Sequence, residues 1–225
     1  MRLSIVVPVL NEASGIEAHL GRLAPLRSRG VEVIVVDGGS EDATPRFAMA
    51  LADRVLEAPR GRAAQMNAGA SAARGDALLF LHADTLLPDS ADQLVARALR
   101  GSHWGRFDVR IAGRHPMLAV VACTMNLRSR ISGIATGDQA MFMRRAAFES
   151  VGGYPQIPLM EDVAISSRLK HVGRPACLAE RVVTSGRRWE SRGVLRTIVL
   201  MWRLRLAYRL GADPAELERR YRQAT

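Results

Sequence analysis

The sequence predicts an α/β protein with a mostly parallel central sheet flanked by helices and with a C-terminal helical extension. Three apolar runs, at residues 5–10, 31–36 and 77–81, are rich in Val, Ile and Leu and are bounded by turn residues, as buried strands are. Helical segments separate the runs, and strands joined by helical crossovers lie parallel to one another. These two observations define the fold class.

An acidic side chain follows each of these runs, namely Glu12, Asp37 and Asp84. Ligands of open α/β sheets bind beyond the carboxyl ends of parallel strands, so we expect the three acids to meet at one rim. Neighbouring carboxylates repel one another unless a cation or a hydrogen-bonding ligand offsets their charge. The pattern therefore predicts a metal-bound, hydroxyl-rich ligand at this rim.

The other elements follow from apolar spacing and from capping and turn residues. We expect helices at 16–23, 61–73, 88–100, 117–127, 146–151 and 161–172, a helix capped by Thr44 with Pro45 as its first residue, and strands at 54–57, 104–112 and 139–143. The strand at 104–112 alternates like a half-exposed strand, and the helix at 117–127 is apolar enough to be buried. No internal repeat or low-complexity linker appears, which predicts one domain in two functional halves.

Composition narrows the class of protein. The chain has 225 residues, of which 48% are hydrophobic and 24% charged, as expected for one globular domain. Cys123 and Cys177 are isolated, which argues against a disulfide framework or a zinc site and favours a reducing cytosol. The first strand begins close to Met1, so we expect no signal peptide and a cytoplasmic location, with the inner face of the plasma membrane as an alternative.

The net charge of +10 and the pI near 11.1 have three explanations: an anionic substrate, an anionic membrane surface or a nucleic acid. No RNA-binding signature or zinc-finger spacing is present, and aromatic residues make up only 5% of the chain. We therefore expect no nucleic-acid partner.

The segment 193–210 is strongly apolar, which predicts a helix. It is punctuated by Arg196, Arg203, Arg205 and Arg209. Its longest uncharged stretch, 197–202, is far shorter than the ~20 residues that span a bilayer. The helix either lies on a membrane with its arginines at the interface or packs on the domain or on a partner such as a second copy. We favour packing.

Four motifs carry a resemblance to a known family. They are Pro8-Val9-Leu10-Asn11-Glu12, Val36-Asp37-Gly38-Gly39-Ser40-Glu41-Asp42-Ala43-Thr44, Leu81-His82-Ala83-Asp84 and Met160-Glu161-Asp162. In this order and spacing, residues 3–175 resemble the family 2 glycosyltransferases of GT-A type, and look closest to short bacterial members sometimes encoded beside radical-SAM proteins. The resemblance implies a UDP- or GDP-sugar donor, a Mg²⁺ or Mn²⁺ ion and inversion at the anomeric carbon.

The resemblance also implies a domain layout. A GT-A domain at 1–190 would comprise a nucleotide-sugar-binding half at 1–100 and an acceptor half at 101–190, followed by an amphipathic extension at 191–225. The implied donor-binding residues are Pro8, Val9, Glu12, Asp37, Gly38, Arg62 and Ala83. Carboxylates at Glu12 and Asp37 can accept hydrogen bonds from a nucleoside, and Gly38 lets the backbone approach a ligand closely. An ordinary strand-to-helix turn at Asp37 and a surface role for Arg62 remain open alternatives.

Asp84 occupies the last position of the family's Asp-x-Asp metal motif, which implies that it binds the metal. Mg²⁺ and Mn²⁺ prefer oxygen ligands and keep waters and substrate phosphates, so one carboxylate suffices. His82 stands where the motif has its first acid. It contacts the ribose, approaches the metal through water or only packs, and we favour a residue that does not bind the metal.

The resemblance assigns Asp162 as the general base for the acceptor hydroxyl, with Glu161 as the fallback. Helix capping is the alternative explanation for acids at a helix start. Asp138, in Gly137-Asp138-Gln139, is a secondary candidate on the acceptor side.

Arg188-Trp189 is similar to part of the Gln-x-x-Arg-Trp motif of processive synthases, but Ser185 replaces the Gln. The sequence contains no segment expected to form a transmembrane channel, which disfavours processive polymerisation. Arg187 or Arg188 remains a candidate to stabilise the leaving diphosphate.

The sequence thus predicts a metal-dependent inverting glycosyltransferase acting on a small-molecule or lipid acceptor. One rival is a sugar-phosphate nucleotidylyltransferase, which would carry a Gly-rich basic loop where this chain has Leu10-Asn11-Glu12. The other rival is a non-catalytic protein that binds a sugar nucleotide or a membrane surface.

Overall fold

The structure, a computed structural model, describes residues 1–223 apart from the side chains of Arg188 and Arg192. Ala224 and Thr225, the end of the predicted extension, lie outside the described residues. The strands of this range are β1 (Leu3–Val9), β2 (Glu32–Asp37), β3 (Arg54–Glu57), β4 (Ala77–Phe80), β5 (Thr85–Leu86), β6 (Trp104–Ala112), β7 (Phe142–Arg144) and β8 (Ala176–Ser185).

The helices are α1 (Ile16–Gly21), α2 (Ala24–Ser28), α3 (Thr44–Ala48), α4 (Arg62–Ala72), α5 (Ala91–Gly101), α6 (Met117–Ser132), α7 (Arg145–Ser150), α8 (Glu161–Leu169), α9 (Arg187–Arg192), α10 (Val194–Arg209) and α11 (Pro214–Gln223). A short 3-10 helix, Gly137–Gln139, precedes β7.

The strands form one sheet in the order β3-β2-β1-β4-β7-β6-β8-β5. Strands β1 to β4 pair in parallel, so their carboxyl ends share one edge. Strand β7 is antiparallel to β4 and β6, β8 is parallel to β6, and β5 is antiparallel to β8. The predicted α/β class, with a mostly parallel sheet flanked by helices, is confirmed.

Successive side chains of the central strands enter two apolar cores, one on each face of the sheet. Ile5 and Val7 of β1 pack with residues of α1, α5 and α6. Val6, between them, packs with residues of α4, α7 and α8. Burial on both faces explains why these strands read as continuous apolar runs.

Some local predictions were wrong. Strand β6 is buried except for Arg110 and Ala112, because it lies between β7 and β8 with α6 against it. Helix α6 is longer than predicted and only partly buried. The strand predicted at 139–143 begins only at Phe142, since Ala140 has a φ of 45° that breaks the extended backbone. The cap of α3 is Ala43, and the Thr44 hydroxyl instead accepts the Glu12 N–H at 2.8 Å.

Helix α10 packs on the domain through one side and exposes the other. Val194, Thr197 and Leu204 are buried, and Leu204 packs with Met160 and with Leu217 of α11. The outer side carries an apolar stripe, defined here as Leu195, Val199, Trp202, Leu206 and Leu210, all exposed. The predicted packing is confirmed for the inner side only. Within residues 1–223, no helix is both long and apolar enough to cross a bilayer.

Candidate active site

A polar cleft of about 700 Å³ opens beyond the carboxyl ends of β1 and β4. Its walls include Pro8, Val9, Glu12, Arg62, Ala83 and Asp84. The structure therefore brings to one cavity the predicted metal ligand and most of the predicted donor-binding residues. Arg62 enters it as the first residue of α4, next to the free N–H groups of that helix.

Asp37 and Gly38 do not border the cleft but build the loop beneath it. The Asp37 carboxylate is buried and accepts the N–H groups of Gly39 and Ser40 at 3.0 and 2.8 Å. The side-chain amide of Gln65 lies only 3.0–3.1 Å from the position that a Cβ on residue 38 would take. The Nε2 of Gln65 donates to the Val9 carbonyl at 2.8 Å. Of the three acids expected at one rim, Glu12 and Asp84 share the cleft, whereas Asp37 is turned into its own loop.

The Asp84 carboxylate is exposed at the cleft and accepts a long hydrogen bond, of 3.3 Å, from the Thr85 hydroxyl. No group of three or more His, Cys, Asp or Glu side chains within the described range could enclose a metal ion. A cation bound here would therefore need ligands from water or substrate. This donor set fits Mg²⁺ or Mn²⁺, which retain waters and phosphate oxygens.

His82 is held by the 3-10 helix that precedes β7. Its Nδ1 lies 3.3 Å from Asp138 Oδ1. Its Nε2 would come within 2.4 Å of a Cβ on residue 137, so only Gly137 leaves room for the ring. These contacts support a packing role for His82. They also place its ring beside Asp138.

A second cavity, the apolar pocket, adjoins the cleft and has a volume of about 640 Å³. Its walls include Met117, Val121 and Met125 of α6 and Ile198, Met201 and Trp202 of α10. Glu161 and Asp162, in the first turn of α8, lie on its wall. The two cavities share Arg62, His82, Asp138 and Trp189. A ligand in each would therefore meet the other at this boundary.

Asp162 is held by two backbone donors. Its Oδ2 accepts the Gly137 N–H at 3.0 Å and its Oδ1 accepts the Val163 N–H at 2.7 Å. Met160, just before the helix, has a φ of 70°, a left-handed conformation that a side chain adopts only at a cost. Such strain at the start of α8 is typical of a functional segment. The bond to Val163 satisfies an N–H of the first turn of α8, so both a catalytic role and a helix-stabilising role for Asp162 fit the geometry.

Glu161 is buried beside Asp162. Burial, and then the negative charge of Asp162, raise the pKa of Glu161 to about 7, while Arg62 and His82 oppose the shift. Desolvation lowers the pKa of Arg62, but nearby carboxylates raise it above its usual value. Those carboxylates belong to Glu161, Asp138 and Asp162. The charge of Arg62 is therefore stabilised by carboxylates that lie on the wall of the apolar pocket.

Two arginines on the apolar pocket were missed as site residues by sequence reasoning. Arg128 of α6 and Arg205 of α10 both border it, and both have buried guanidinium nitrogens without a hydrogen-bond partner. Burial, and then the charge of Arg205, lower the pKa of Arg128 to about 10. Burial also lowers the pKa of Arg205, although Asp162 and Asp138 oppose this shift. In the sequence, only their position within otherwise apolar helical segments distinguishes Arg128 and Arg205 from other arginines.

The segment similar to the processive-synthase motif lies at the cavity boundary through Trp189. Arg187 is exposed, and its Nε donates to the Ser185 hydroxyl at 3.2 Å. The side chain of Arg188 lies outside the described residues. A role for either arginine at the leaving group stays a prediction.

The sheet order and the cleft beyond its parallel strands define the GT-A fold, as comparison with solved structures shows. Residues 1–349 of Staphylococcus aureus TarS, in complex with UDP-GlcNAc, superpose with a TM-score of 0.66 at 20% identity, and the match covers 82% of this chain and 58% of that TarS fragment. The mannosyltransferase PcManGT from Pyrobaculum calidifontis in complex with GDP-Man and Mn²⁺ has a TM-score of 0.66 at 23% identity, covering 96% of this chain and 67% of PcManGT.

The chain belongs to glycosyl transferase family 2, whose model matches residues 4–151. It is 34% identical over 167 residues to the undecaprenyl-phosphate 4-deoxy-4-formamido-L-arabinose transferase of Pseudomonas paraeruginosa. That match covers 63% of this chain and 46% of the relative. The chain spans about half the length of the curated relatives it matches.

Proposed function

We propose that the chain is a metal-dependent inverting glycosyltransferase that moves a sugar from a UDP- or GDP-sugar to a hydroxyl of a small-molecule or lipid acceptor. The observation that carries the proposal is the pair of adjoining cavities, with Asp84 in the polar cleft and Asp162 in the apolar pocket. Membership of family 2 supports it. Two structural neighbours are described with UDP-GlcNAc and with GDP-Man and Mn²⁺, which supports this class of donor.

In this proposal the polar cleft binds the donor. Pro8, Val9 and Glu12 contact the nucleoside, with Ala83 beside it, and the loop built by Asp37 and Gly38 supports them. The Arg62 guanidinium and the first N–H groups of α4 bind the diphosphate, as helix N-termini do. A Mg²⁺ or Mn²⁺ ion held by Asp84 would neutralise diphosphate charge.

Asp162 acts as the general base. It takes the proton of the acceptor hydroxyl as the hydroxyl oxygen forms a bond to the anomeric carbon. The bond from that carbon to the diphosphate oxygen breaks on the opposite side, so the configuration inverts and the nucleoside diphosphate leaves. The Gly137 N–H bond to Asp162 Oδ2 orients the carboxylate, and the second oxygen remains beside Val163. Positioned proton abstraction contributes about 10²- to 10⁴-fold in rate.

We further propose that the protein contacts an anionic membrane at the inner face of the plasma membrane, and the exposed apolar stripe supports this proposal. Arg196 and Arg203 are exposed on the same helix and add positive charge. An apolar face with flanking arginines is typical of helices that lie in a membrane interface. A homodimer that buries the stripe is the competing proposal.

Donor binding is tested by thermal unfolding with a panel of nucleotides and nucleotide sugars, with and without Mn²⁺. A ligand that binds only the folded state stabilises it by about 2.7 kcal/mol at 100 times its Kd. We expect UDP or GDP and their sugars to raise the Tm in a Mn²⁺-dependent manner. No shift from any nucleotide would contradict the proposal. Donor turnover in the presence of an acceptor then separates an enzyme from a non-catalytic binding protein.

Membrane contact is tested by sedimentation with phosphatidylglycerol vesicles at low salt. Val199→Glu with Leu206→Glu should reduce retention, because both side chains leave an exposed apolar surface. Met49→Glu is the matched control, since Met49 is equally exposed but lies just after α3. Equal retention of all variants would show that the stripe does not contact the membrane. If light scattering instead shows a dimer that Leu206→Glu dissociates, the stripe is the interface with a second copy of the chain.

A further inference from the structure

Arg128 and Arg205 both border the apolar pocket, each charge is close enough to act on the other, and no carboxylate among the described side chains pairs with either of them. Within the described side chains, neither forms an ion pair, and Nε and Nη2 of Arg128 and Nε of Arg205 are buried without a hydrogen-bond partner. Arg106 and Arg130 nearby provide the contrast, because Asp108 contacts both of them. The fold therefore gives Arg106 and Arg130 a shared carboxylate, and among the described side chains it gives Arg128 and Arg205 none.

An uncompensated pair of buried cations is unfavourable. Burying a charge without a partner costs free energy, and a second like charge adds repulsion. The carboxylates of Asp162 and Asp138 act on Arg205 only at longer range, since neither is within ion-pair distance among the described contacts. An anion between the two guanidinium groups would remove both costs. Guanidinium forks match phosphate oxygens in geometry and charge.

The surroundings define the rest of the ligand. Arg128 and Arg205 border the apolar pocket and not the polar cleft, so they are placed for the acceptor side rather than for the donor diphosphate. Val120, Leu195 and Trp202 border the same pocket and are also exposed. The pocket therefore opens onto the apolar surface of α6 and α10. An apolar chain can leave the pocket by this route.

We infer that Arg128 and Arg205 bind a phosphate group of an acceptor that also carries an apolar chain, an inference that rests on the proposed function. Asp162 borders the same pocket, so the phosphate anchors the acceptor while its hydroxyl reaches the base. The two arginines are binding residues and take no part in proton transfer. A phosphate monoester is the shared chemistry of lipid and water-soluble acceptors of this kind.

The test measures binding of dodecyl phosphate, dodecanol and inorganic phosphate to the full chain by calorimetry, below the micelle concentration of the amphiphiles. We expect dodecyl phosphate to bind at least about tenfold more tightly than either single-feature probe, which is ~1.4 kcal/mol. Arg128→Met with Arg205→Met should abolish this advantage. Arg203→Met is the matched control, because Arg203 is an exposed arginine on the same helix. An unchanged advantage in the double variant would overturn the inference.

Two further arms keep the inference falsifiable. Arg128→Lys and Arg205→Lys retain the charge but lose the guanidinium fork, so they should weaken dodecyl phosphate binding while the protein folds normally. Wild-type affinity in both lysine variants would contradict phosphate recognition by the arginines. Equal binding of inorganic phosphate and dodecyl phosphate would overturn the inferred apolar chain of the acceptor, because the chain would then add nothing to binding.

Nucleotide binding with Mn²⁺, measured on the same variants, separates this inference from the proposed function. The methionine variants should bind UDP or GDP as the wild type does, because the arginines lie outside the polar cleft. Arginine-dependent binding of dodecyl phosphate without any nucleotide binding would refute the proposed function and leave the phosphate site. Normal nucleotide binding with no preference for dodecyl phosphate over dodecanol would refute the phosphate site alone.

Discussion

The two cavities are built from different kinds of structure. The polar cleft takes its walls mainly from loops that follow parallel strands and from the start of α4, whereas the apolar pocket lies between α6, α8 and α10. Strand ends and helix N-termini present polar groups at fixed positions. Packed helices instead present apolar side chains, with few polar groups among them. The difference supports the proposed division of labour, in which the charged donor binds on the strand side and the acceptor binds between the helices.

The boundary between the cavities is as informative as their walls. His82 reaches from the β4 end of the cleft to the 3-10 helix beside the pocket and contacts Asp138 there. Gly137 makes this approach sterically feasible and also donates to Asp162. The loop that carries the proposed metal ligand and the side chain of the proposed base, Asp162, therefore both contact the 3-10 helix Gly137–Gln139. The assignment of the two cavities can be tested with variants that should affect ligand binding or transfer at one cavity and leave the other unchanged.

The largest effect is expected for Asp162→Asn. Transfer to an identified acceptor should fall by about 10²- to 10⁴-fold, because the amide cannot take the hydroxyl proton. Donor affinity and its dependence on metal should remain near the wild-type values, since Asp162 does not border the polar cleft. Steady-state transfer kinetics and nucleotide titration check the two halves of this prediction. Near-normal transfer would reject Asp162 as the base and direct attention to Glu161 or Asp138.

The next effect is expected for Asp84→Asn, which removes the only charge proposed to hold the metal. Donor and metal binding should weaken together, by about 10- to 100-fold, as expected when a charged contact of ~1.5–3 kcal/mol is lost. Binding of dodecyl phosphate in the apolar pocket should not change. Calorimetric titrations of nucleotide with and without Mn²⁺ measure the loss. If the variant binds the nucleotide and Mn²⁺ as the wild type does, Asp84 is not the metal ligand.

The smallest effect on transfer is expected for Glu161→Gln, whose main consequence is for stability. The pKa of Glu161 rises from 4.5 to about 7 on folding, through burial and then Asp162. The folded state therefore holds a proton that the unfolded state releases between pH 4.5 and 7, and the free energy of unfolding declines as the pH rises through this window.

Glu161→Gln removes this dependence. Relative to wild type, the variant should gain on the order of 3 kcal/mol between pH 4.5 and pH 8, as measured by urea unfolding at each pH. Glu57→Gln, an exposed carboxylate at the end of β3, is the matched control. A pH-independent difference between Glu161→Gln and wild type would show that the pKa of Glu161 does not change on folding.

The cleft could be predicted from the sequence because its parts are local. Pro8 and Val9 end one strand and Glu12 follows it, while Ala83 and Asp84 follow another strand, so knowing that the two strands are parallel is enough to bring these residues together. Asp37 shows the limit of this reasoning. It ends a parallel strand as expected, yet its carboxylate accepts hydrogen bonds from the N–H groups of Gly39 and Ser40 in the turn that follows.

The pocket could not be predicted because its parts are distant in sequence. Arg128 and Arg205 come together only when α10 packs near α6, and neither belongs to a motif. Strand β8 was missed for a related reason. Its register against β6 shifts between Phe107 and Asp108, and its residues 178–181 lack the alternation that marks a strand. Tertiary contacts decide both features.

The most direct test of this division of labour is an experimental structure with UDP or GDP and Mn²⁺ bound. The nucleoside should lie against Pro8, Val9 and Glu12, with the diphosphate near Arg62 and the metal on the Asp84 carboxylate, while the apolar pocket stays free of nucleotide. A nucleotide seated between α6 and α10, or a metal ion bound by Glu161 and Asp162, would contradict the assignment of the two cavities.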